Sequence, residues 1–234
     1  MASLELNTRL KFVTFNNSGL DDQGAISIVM LVRPNASQTA ARWWVSKALV
    51  ADAANSISLG RVKTSDKIFY ERARILTSSS LETTNTVSVN AWSWIGIADD
   101  TSAVPVCFVG DPITRPVEAG YGSQIQGSGG AGIEGSTNLI IGGRYTAAAT
   151  ENCLSDVAFF GIANRRMSNA ELQSHWPVPR NVPGAGWVVF SWFGYNGSAV
   201  APDWSGNVVN GTVNGSPTLK SDWPGPLSPV MSRA

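Results

Sequence analysis

Ala25-Ile26-Ser27-Ile28-Val29-Met30-Leu31-Val32-Arg33-Pro34 is a short run of mostly β-branched and apolar residues closed by a proline. Ile26, Ile28, Met30 and Val32 fall on one face at a period of two, which predicts a half-buried strand. Outward from it, similar runs recur, separated by Gly, Asn, Asp and Ser clusters. Leu4 to Leu10 and Lys11 to Phe15 precede it. Trp43 to Ser46, Ser56 to Val62, Ile68 to Leu76, Thr86 to Val89, Ser93 to Ala98, Val104 to Val109, Leu139 to Gly142 and Leu154 to Phe160 follow. About a dozen strands with turn signals between them predict an all-β fold, an antiparallel sandwich or barrel.

Helical signals occur once, at Met167-Ser168-Asn169-Ala170-Glu171-Leu172, where Ser168 and Glu171 have capping-box spacing. The glycine-rich stretch Tyr121 to Gly135 offers no large aliphatic pair to bury and is expected to be a long surface loop. After His175-Trp176 the composition changes. Pro177, Pro179, Pro183, Gly184 and Gly186 read as a stiff linker. Trp187 to Phe193 is β-like, and Asp203-Trp204-Ser205-Gly206-Asn207 and Asn210-Gly211-Thr212 read as tight turns. Residues 1–176 are therefore expected to form the main domain. Residues 177–234 form a Pro/Gly-rich extension, too small for its own core, that leans on the main domain or on a partner.

Of the 234 residues 15% are charged, 17 basic and 17 acidic, so the formal net charge is zero. Such a chain has no basic field for phosphates, and nucleic acid is excluded as a partner. No apolar run approaches the roughly 18 residues of a membrane helix, and the start lacks a signal-peptide layout, so a soluble chain folding in the cytosol is expected. Cys107 and Cys153 lack zinc-site spacing and read as buried thiols. Asn16, Asn35, Asn196, Asn210 and Asn214 sit in Asn-x-Ser/Thr triplets and read as turn residues.

The order of the pieces resembles the laminin G-like, concanavalin A-like jelly-roll family. Ala25 to Pro34 matches its "sFTISaWVrp" strand. Trp92 to Ala98, Asp99-Asp100 and Val106 to Gly110 match its "W-x-h-h-a-h" strand, turn and following strand, and Leu139-Ile140-Ile141-Gly142 matches "L-x-I-G". The most specific block is Cys153 to Phe160 running through Asn164 to Leu172, which is similar to "G-x-I-D-E-V-x-I-a-n-R-x-L-S-x-x-E-I". Trp187 to Phe193, Asp203 to Asn207 and Gly211-Thr212-Val213 look like a phrase that follows such jelly rolls in tailed-phage virion proteins. The resemblance implies two twisted antiparallel sheets packed face to face, one surface concave and one convex. The fold alone does not fix a function.

Catalytic chemistry is not legible. Concanavalin A-like glycosidases carry Glu-x-Asp-x-Glu on one strand, because alternate residues point the same way, and no such run exists here. Asp21-Asp22 and Asp99-Asp100 are adjacent and read as turn residues. The lone histidine, His175, reads as a helix C-terminal residue and has no partner set for nucleophilic hydrolysis. Arg165-Arg166 is expected to pair with Asp156. Calcium ligands could come from Asp99, Asp100, Asp111, Glu151, Asn152 and Asp156, but their spacing defines no cage, and no cofactor is assigned.

Aromatic residues remain. Trp92, Trp94, Phe108, Phe159 and Phe160 are assigned to core. Trp43 and Trp44 are neighbours in a strand, so one ring must leave the inner face, where it could stack on a glycan or anchor a subunit. Trp187, Trp192, Trp204 and Trp223 are expected to bury against another surface as subunit contacts. Two functions compete. One is a non-enzymatic decoration or cement protein of a phage capsid, made in the host cytoplasm and placed on the virion surface, oligomeric, touching the major capsid protein or other virion subunits. The other is a lectin-like, carbohydrate-binding module.

Overall fold

In the computed structural model, the residues described are 3–6, 11–16, 20–21, 23–36, 42–48, 56–62, 65–133, 137–143, 154–176, 186–193, 200–207 and 209–220. They form two antiparallel sheets, the all-β sandwich that the sequence predicts. The first, eight-stranded, runs in the order β10 (Val117–Glu118), β9 (Val106–Gly110), β8 (Ser93–Asp99), β3 (Ile26–Pro34), β13 (Ser155–Ala163), β1 (Ser3–Leu6) and β17 (Thr218–Lys220). β14 (Trp187–Trp192) also pairs with β13, alongside Phe159 to Ala163, while β1 takes Ser155 to Val157. The second, nine-stranded, runs β11 (Tyr121–Ile125), β7 (Ser79–Thr86), β6 (Lys67–Arg72), β5 (Ser56–Arg61), β4 (Arg42–Ala48), β12 (Leu139–Ile141), β2 (Phe12–Phe15), β16 (Gly211–Asn214) and β15 (Val200–Ala201). The helix α1 (Asn169–Ser174) has Ser168 as its cap, with both arms of the capping box in place.

Between the sheets lies the main core, with Ile28, Met30, Leu59, Tyr70, Ile97, Phe160 and Val189 among its members. Each such aliphatic side chain contributes about 1.5–3 kcal/mol by leaving water. β3 is not half-buried as its period suggests. Val29 and Leu31, on the opposite face, are buried as well, because a second apolar cluster covers the outside of the eight-stranded sheet.

The stretch from Tyr121 departs from the loop expectation. β11 pairs with β7, and the glycine-rich continuation bridges to the β6–β7 turn at Thr77 and Arg74. Tyr121 packs against the main core, and polar tethers order the glycine-rich continuation. The Arg74 guanidinium, buried, donates to the carbonyls of Gly130 (2.9 Å) and Gly24 (3.2 Å), to Ser79 Oγ (2.8 Å) and to Asp99 (2.9 Å). The Tyr121 hydroxyl accepts from the Cys107 amide at 2.8 Å and so ties the edge of one sheet to β9 of the other. β7 itself, Ser-Ser-Leu-Glu-Thr-Thr-Asn-Thr, begins well before the predicted Thr86, whereas Ile75 and Leu76 lie in an exposed turn outside β6. Of Leu4 to Leu10, strand persists to Leu6, and residues 7–10 lie outside those described.

The chain beyond residue 186 supplies strands to both sheets: β14 and β17 to the first, β15 and β16 to the second. The Pro177–Pro183 linker and Trp223 lie outside the described residues.

Candidate functional site

Over β9, β8, β3, β13 and β14 the outside of the eight-stranded sheet is covered. Three cross-strand rows run over it: Phe108, Gly96, Val29, Gly161, Phe190; Gly110, Trp94, Leu31, Phe159, Trp192; and Val106, Ala98, Ser27, Ala163, Trp187. Gly96 and Gly161 leave room for indoles. A Cβ on Gly96 would lie 2.6 Å from the Trp94 ring, and one on Gly161 would lie 2.8 Å from Trp187. Met167 and Leu172 complete the cover, with Trp176 and Trp204 half-buried against it. Ser27, the polar position of these rows, pins the cover by donating to the Arg165 carbonyl (2.9 Å) and accepting from the Met167 amide (2.8 Å).

Trp187 and Trp192 are thus buried at 6% and 5% exposure against their own chain, in tilted ring contacts with Phe190 and Phe159. The Asp203-Trp204-Ser205-Gly206-Asn207 turn satisfies the free edge of β14. Asp203 Oδ1 accepts from the Phe190 amide (2.9 Å), Trp204 N–H donates to the Phe190 carbonyl (2.6 Å), and Asn207 Nδ2 donates to the carbonyls of Trp187 (2.9 Å) and Val188 (3.1 Å). This turn is an edge cap, one way a sheet avoids an open row of backbone groups.

The acidic residues are similarly engaged. Asp156 does not pair with Arg165 or Arg166. It accepts from Arg33 and Asn35, with Lys220 at 3.4 Å, because Arg33 is its cross-strand neighbour. Arg165 pairs with Glu171 (2.9 Å) and Arg166 with Asp100 (3.2 Å). Asp99 is no turn residue; fully buried, it receives Arg74 and the Tyr70 hydroxyl (2.9 Å). Tyr70 titrates well above a free tyrosine because burial, then the Asp99 charge, opposes the phenolate. Asp100 and Asp111 do sit in turns. Burial pushes each carboxyl up, but N–H donors two and three residues on outweigh it and hold both below the usual range. Among the described residues no three His, Cys, Asp or Glu side chains gather as metal ligands; Glu151 and Asn152 lie outside them.

The nine-stranded sheet keeps part of its outer face open. In β6 the side chains of Ile68 and Tyr70 enter the core, so Lys67, Phe69 and Glu71 point outward, half-buried. A cross-strand row runs Trp43, Gly60, Phe69, Glu82, Ser123. Trp43 and Phe69 stand two strands apart, about 9–10 Å between chains, yet their ring centroids are 5.7 Å apart because Gly60 puts no side chain between them. Beside them Lys67 Nζ and Glu82 Oε1 pair at 3.1 Å, both about a third exposed. Further along, Ile140, Ser46 and Ser58 are buried and bound the shelf on one side.

Trp43 and Trp44 divide as expected, with Trp43 outward. Trp44 is fully buried and donates from Nε1 to Ser155 Oγ (3.1 Å), so its ring offers no platform. A β-bulge between Trp43 and Val45 turns Trp44 and Val45 inward together. Sequence reasoning missed Phe69 and the Lys67–Glu82 pair. The alternation Lys67-Ile68-Phe69-Tyr70-Glu71 carried the signal, but only the register places Phe69 beside Trp43. Elsewhere a rim cleft of about 400 Å³ is lined by Ala91, Trp92, Asp111, Pro112, Ile113 and Thr114, with the Arg33 guanidinium 5.1 Å over the Trp92 ring.

No family model matches the sequence, and no curated protein does. Solved structures do. A "putative carbohydrate binding protein" from Bacteroides ovatus superposes with a TM-score of 0.70 at 12% identity over 94% of this chain and 59% of that one. The chain thus spans somewhat less than two thirds of that protein's length. The CBM40 of the Ruminococcus gnavus IT-sialidase gives 0.55 at 9% identity, over 74% of this chain and 96% of that one. Mouse laminin alpha1 domains LG4-5 give 0.52 at 9% identity, over 71% and 43%. At these identities the likeness is one of fold, a laminin G-like and CBM40-like jelly-roll sandwich.

Proposed function

We propose that this chain is a non-catalytic carbohydrate-binding sandwich whose ligand stacks on the Trp43–Phe69 shelf of the nine-stranded sheet. The observation that carries the reading is the aromatic pair on the partly open outer face of the nine-stranded sheet, flanked by Lys67 and Glu82 as hydrogen-bonding groups. An aromatic ring offers the apolar face of a pyranose a flat surface, while charged neighbours take its hydroxyls. Lys67 and Glu82 compensate each other, which suits a neutral glycan better than a sialylated or sulfated one. The named functions of two of its structural neighbours, a carbohydrate binding protein and a CBM40, support the reading. A glycan array is expected to show neutral oligosaccharides bound, and Trp43→Ala to weaken the best of them by about 2 kcal/mol, roughly 30-fold. An array without hits, or hits that Trp43→Ala leaves unchanged, rejects it.

A second reading, decoration of a phage virion surface through the major capsid protein, other virion subunits or further copies of the chain, is favoured by a different feature. Ile75, Leu76 and Ile125 at the β6–β7 turn and β11, and Ile113 and Val117 near β10, are 48–84% exposed. They, rather than the buried Trp187 and Trp192, would make the contact. Co-sedimentation with particles that Ile75→Ser/Leu76→Ser abolishes would support it; a monomer indifferent to particles would not.

A further inference from the structure

The segment Ser168–Trp176, which lies across the outer apolar cluster, rests on an unusual bed. His175 is 3% exposed, its ring packs 5.0 Å from that of Trp187, and its Nδ1 has no hydrogen-bond partner among the described residues. Trp187 Nε1, beneath it, and Trp94 Nε1, whose ring lies over Gly96 beside Leu172, are also buried without partners. Each such atom forfeits water without replacement, so closure of this segment is opposed by three desolvated groups. What holds it is slight. A helix of six residues has no independent stability. Leu172 is its buried residue, and its ties to the rest of the sandwich are the Arg165–Glu171 pair, exposed enough to be worth little, and two neutral hydrogen bonds, Gln173 Nε2 to the Pro116 carbonyl (2.7 Å) and Trp176 Nε1 to the Asp111 carbonyl (2.6 Å).

We infer that Ser168–Trp176 is an acid-released latch, with His175 as its trigger and Met167, pinned on Ser27, as its hinge. Neutral imidazole is tolerated in the apolar bed; imidazolium is not. The groups facing it decide the sign. Burial disfavours the charged ring most, and the Arg165 guanidinium opposes it further, while Glu171 attracts it; the net effect holds His175 below its ordinary range. β14 faces it with Trp187, and β8 carries Trp94 and Gly96 under the helix. Asp111, in the loop to which Trp176 is tied, spends its carboxylate on the amides of Ile113 and Thr114. The closed latch therefore holds fewer protons than the open one. Closure weakens as pH falls from the free-histidine range near 6.5 through the lower value of the closed state. The capping box does not share this titration, since Arg165 and the Ser168 amide hold Glu171 down to about 2. Release uncovers Leu172, Trp94, Trp187 and Phe190 as an apolar face.

The chain has one histidine, so its NMR signal is unambiguous. Followed from pH 7.5 to 4.5 on the full chain, it should titrate with a midpoint below 6.5. Amide exchange of residues 168–176, corrected for the intrinsic pH dependence, should rise at least tenfold along the same curve, while β3 and β8 keep their protection. His175→Gln should remove the pH response. If that variant fails to fold, the coincidence of the two wild-type curves still decides. Protection of 168–176 that stays flat while His175 titrates, or is lost together with that of β3 and β8, overturns the inference.

Discussion

Gly161 and Arg74 show two opposite ways in which one side chain sets the local order of this sandwich. Gly161 matters by what it lacks, since an added Cβ would sit 2.8 Å from Trp187 and 3.0 Å from Phe190, both held by neighbours. Gly161→Ala is expected to destabilise by about 1–3 kcal/mol through overpacking, read as a lower denaturation midpoint at unchanged slope. Arg74 matters by what it neutralises. Arg74→Met strands the buried Asp99 carboxylate and is expected to cost about 3–5 kcal/mol; it should also raise amide exchange selectively in residues 127–133. An unchanged midpoint would show that Asp99 finds other compensation. At this scale the sequence was partly legible. That Trp43 and Trp44 must diverge follows from strand geometry alone. That Trp44 is the inward ring, and that Asp99 is buried while Asp100 caps a turn, depends on a bulge and on partners remote in sequence, neither of which leaves a local signature.

Among the elements, β14 depends most on a motif that looks like a simple turn. Asp203 accepts from the amides of Phe190, Ser205 and Val209. Asp203→Ala should leave the Phe190 amide unsatisfied and cost about 2–3 kcal/mol, with exchange rising first along β14; a cost within 0.5 kcal/mol would mean the edge cap is redundant. The capping box of α1 was readable because its two partners lie three residues apart. β11 and most of β7 were not, because their cohesion comes from ladder hydrogen bonds and from Arg74, Ser79 and Tyr121, not from the apolar alternation that marks a strand. β3 misled in the opposite direction: its second apolar face, Val29 and Leu31, is evidence of a covered sheet, which the covering α1 and Trp187 supply.

On the scale of the whole molecule, the strands after residue 186 share both sheets with those before residue 176, and Val188, Val189 and Phe193 belong to the main core. A chain ending at Trp176 is therefore expected to lose cooperative unfolding and expose the β13 edge and the outer cluster; a well-folded truncated monomer would contradict this. Cys107, fully buried and with its thiol pushed up by burial and then by Glu118, should resist thiol reagents in a Cys153→Ser background until the sandwich unfolds. The fold class was legible throughout, while the face proposed to bind glycan was not, because its exposure depends on what the rest of the chain covers. The most direct measurement of that face is a titration of the indole N–H signals with the best neutral glycan from the array. A saturable shift at Trp43, with Trp44, Trp94, Trp187 and Trp192 unmoved, is the predicted result. A shift centred on Trp92 in the rim cleft, with Trp43 unmoved, would contradict it.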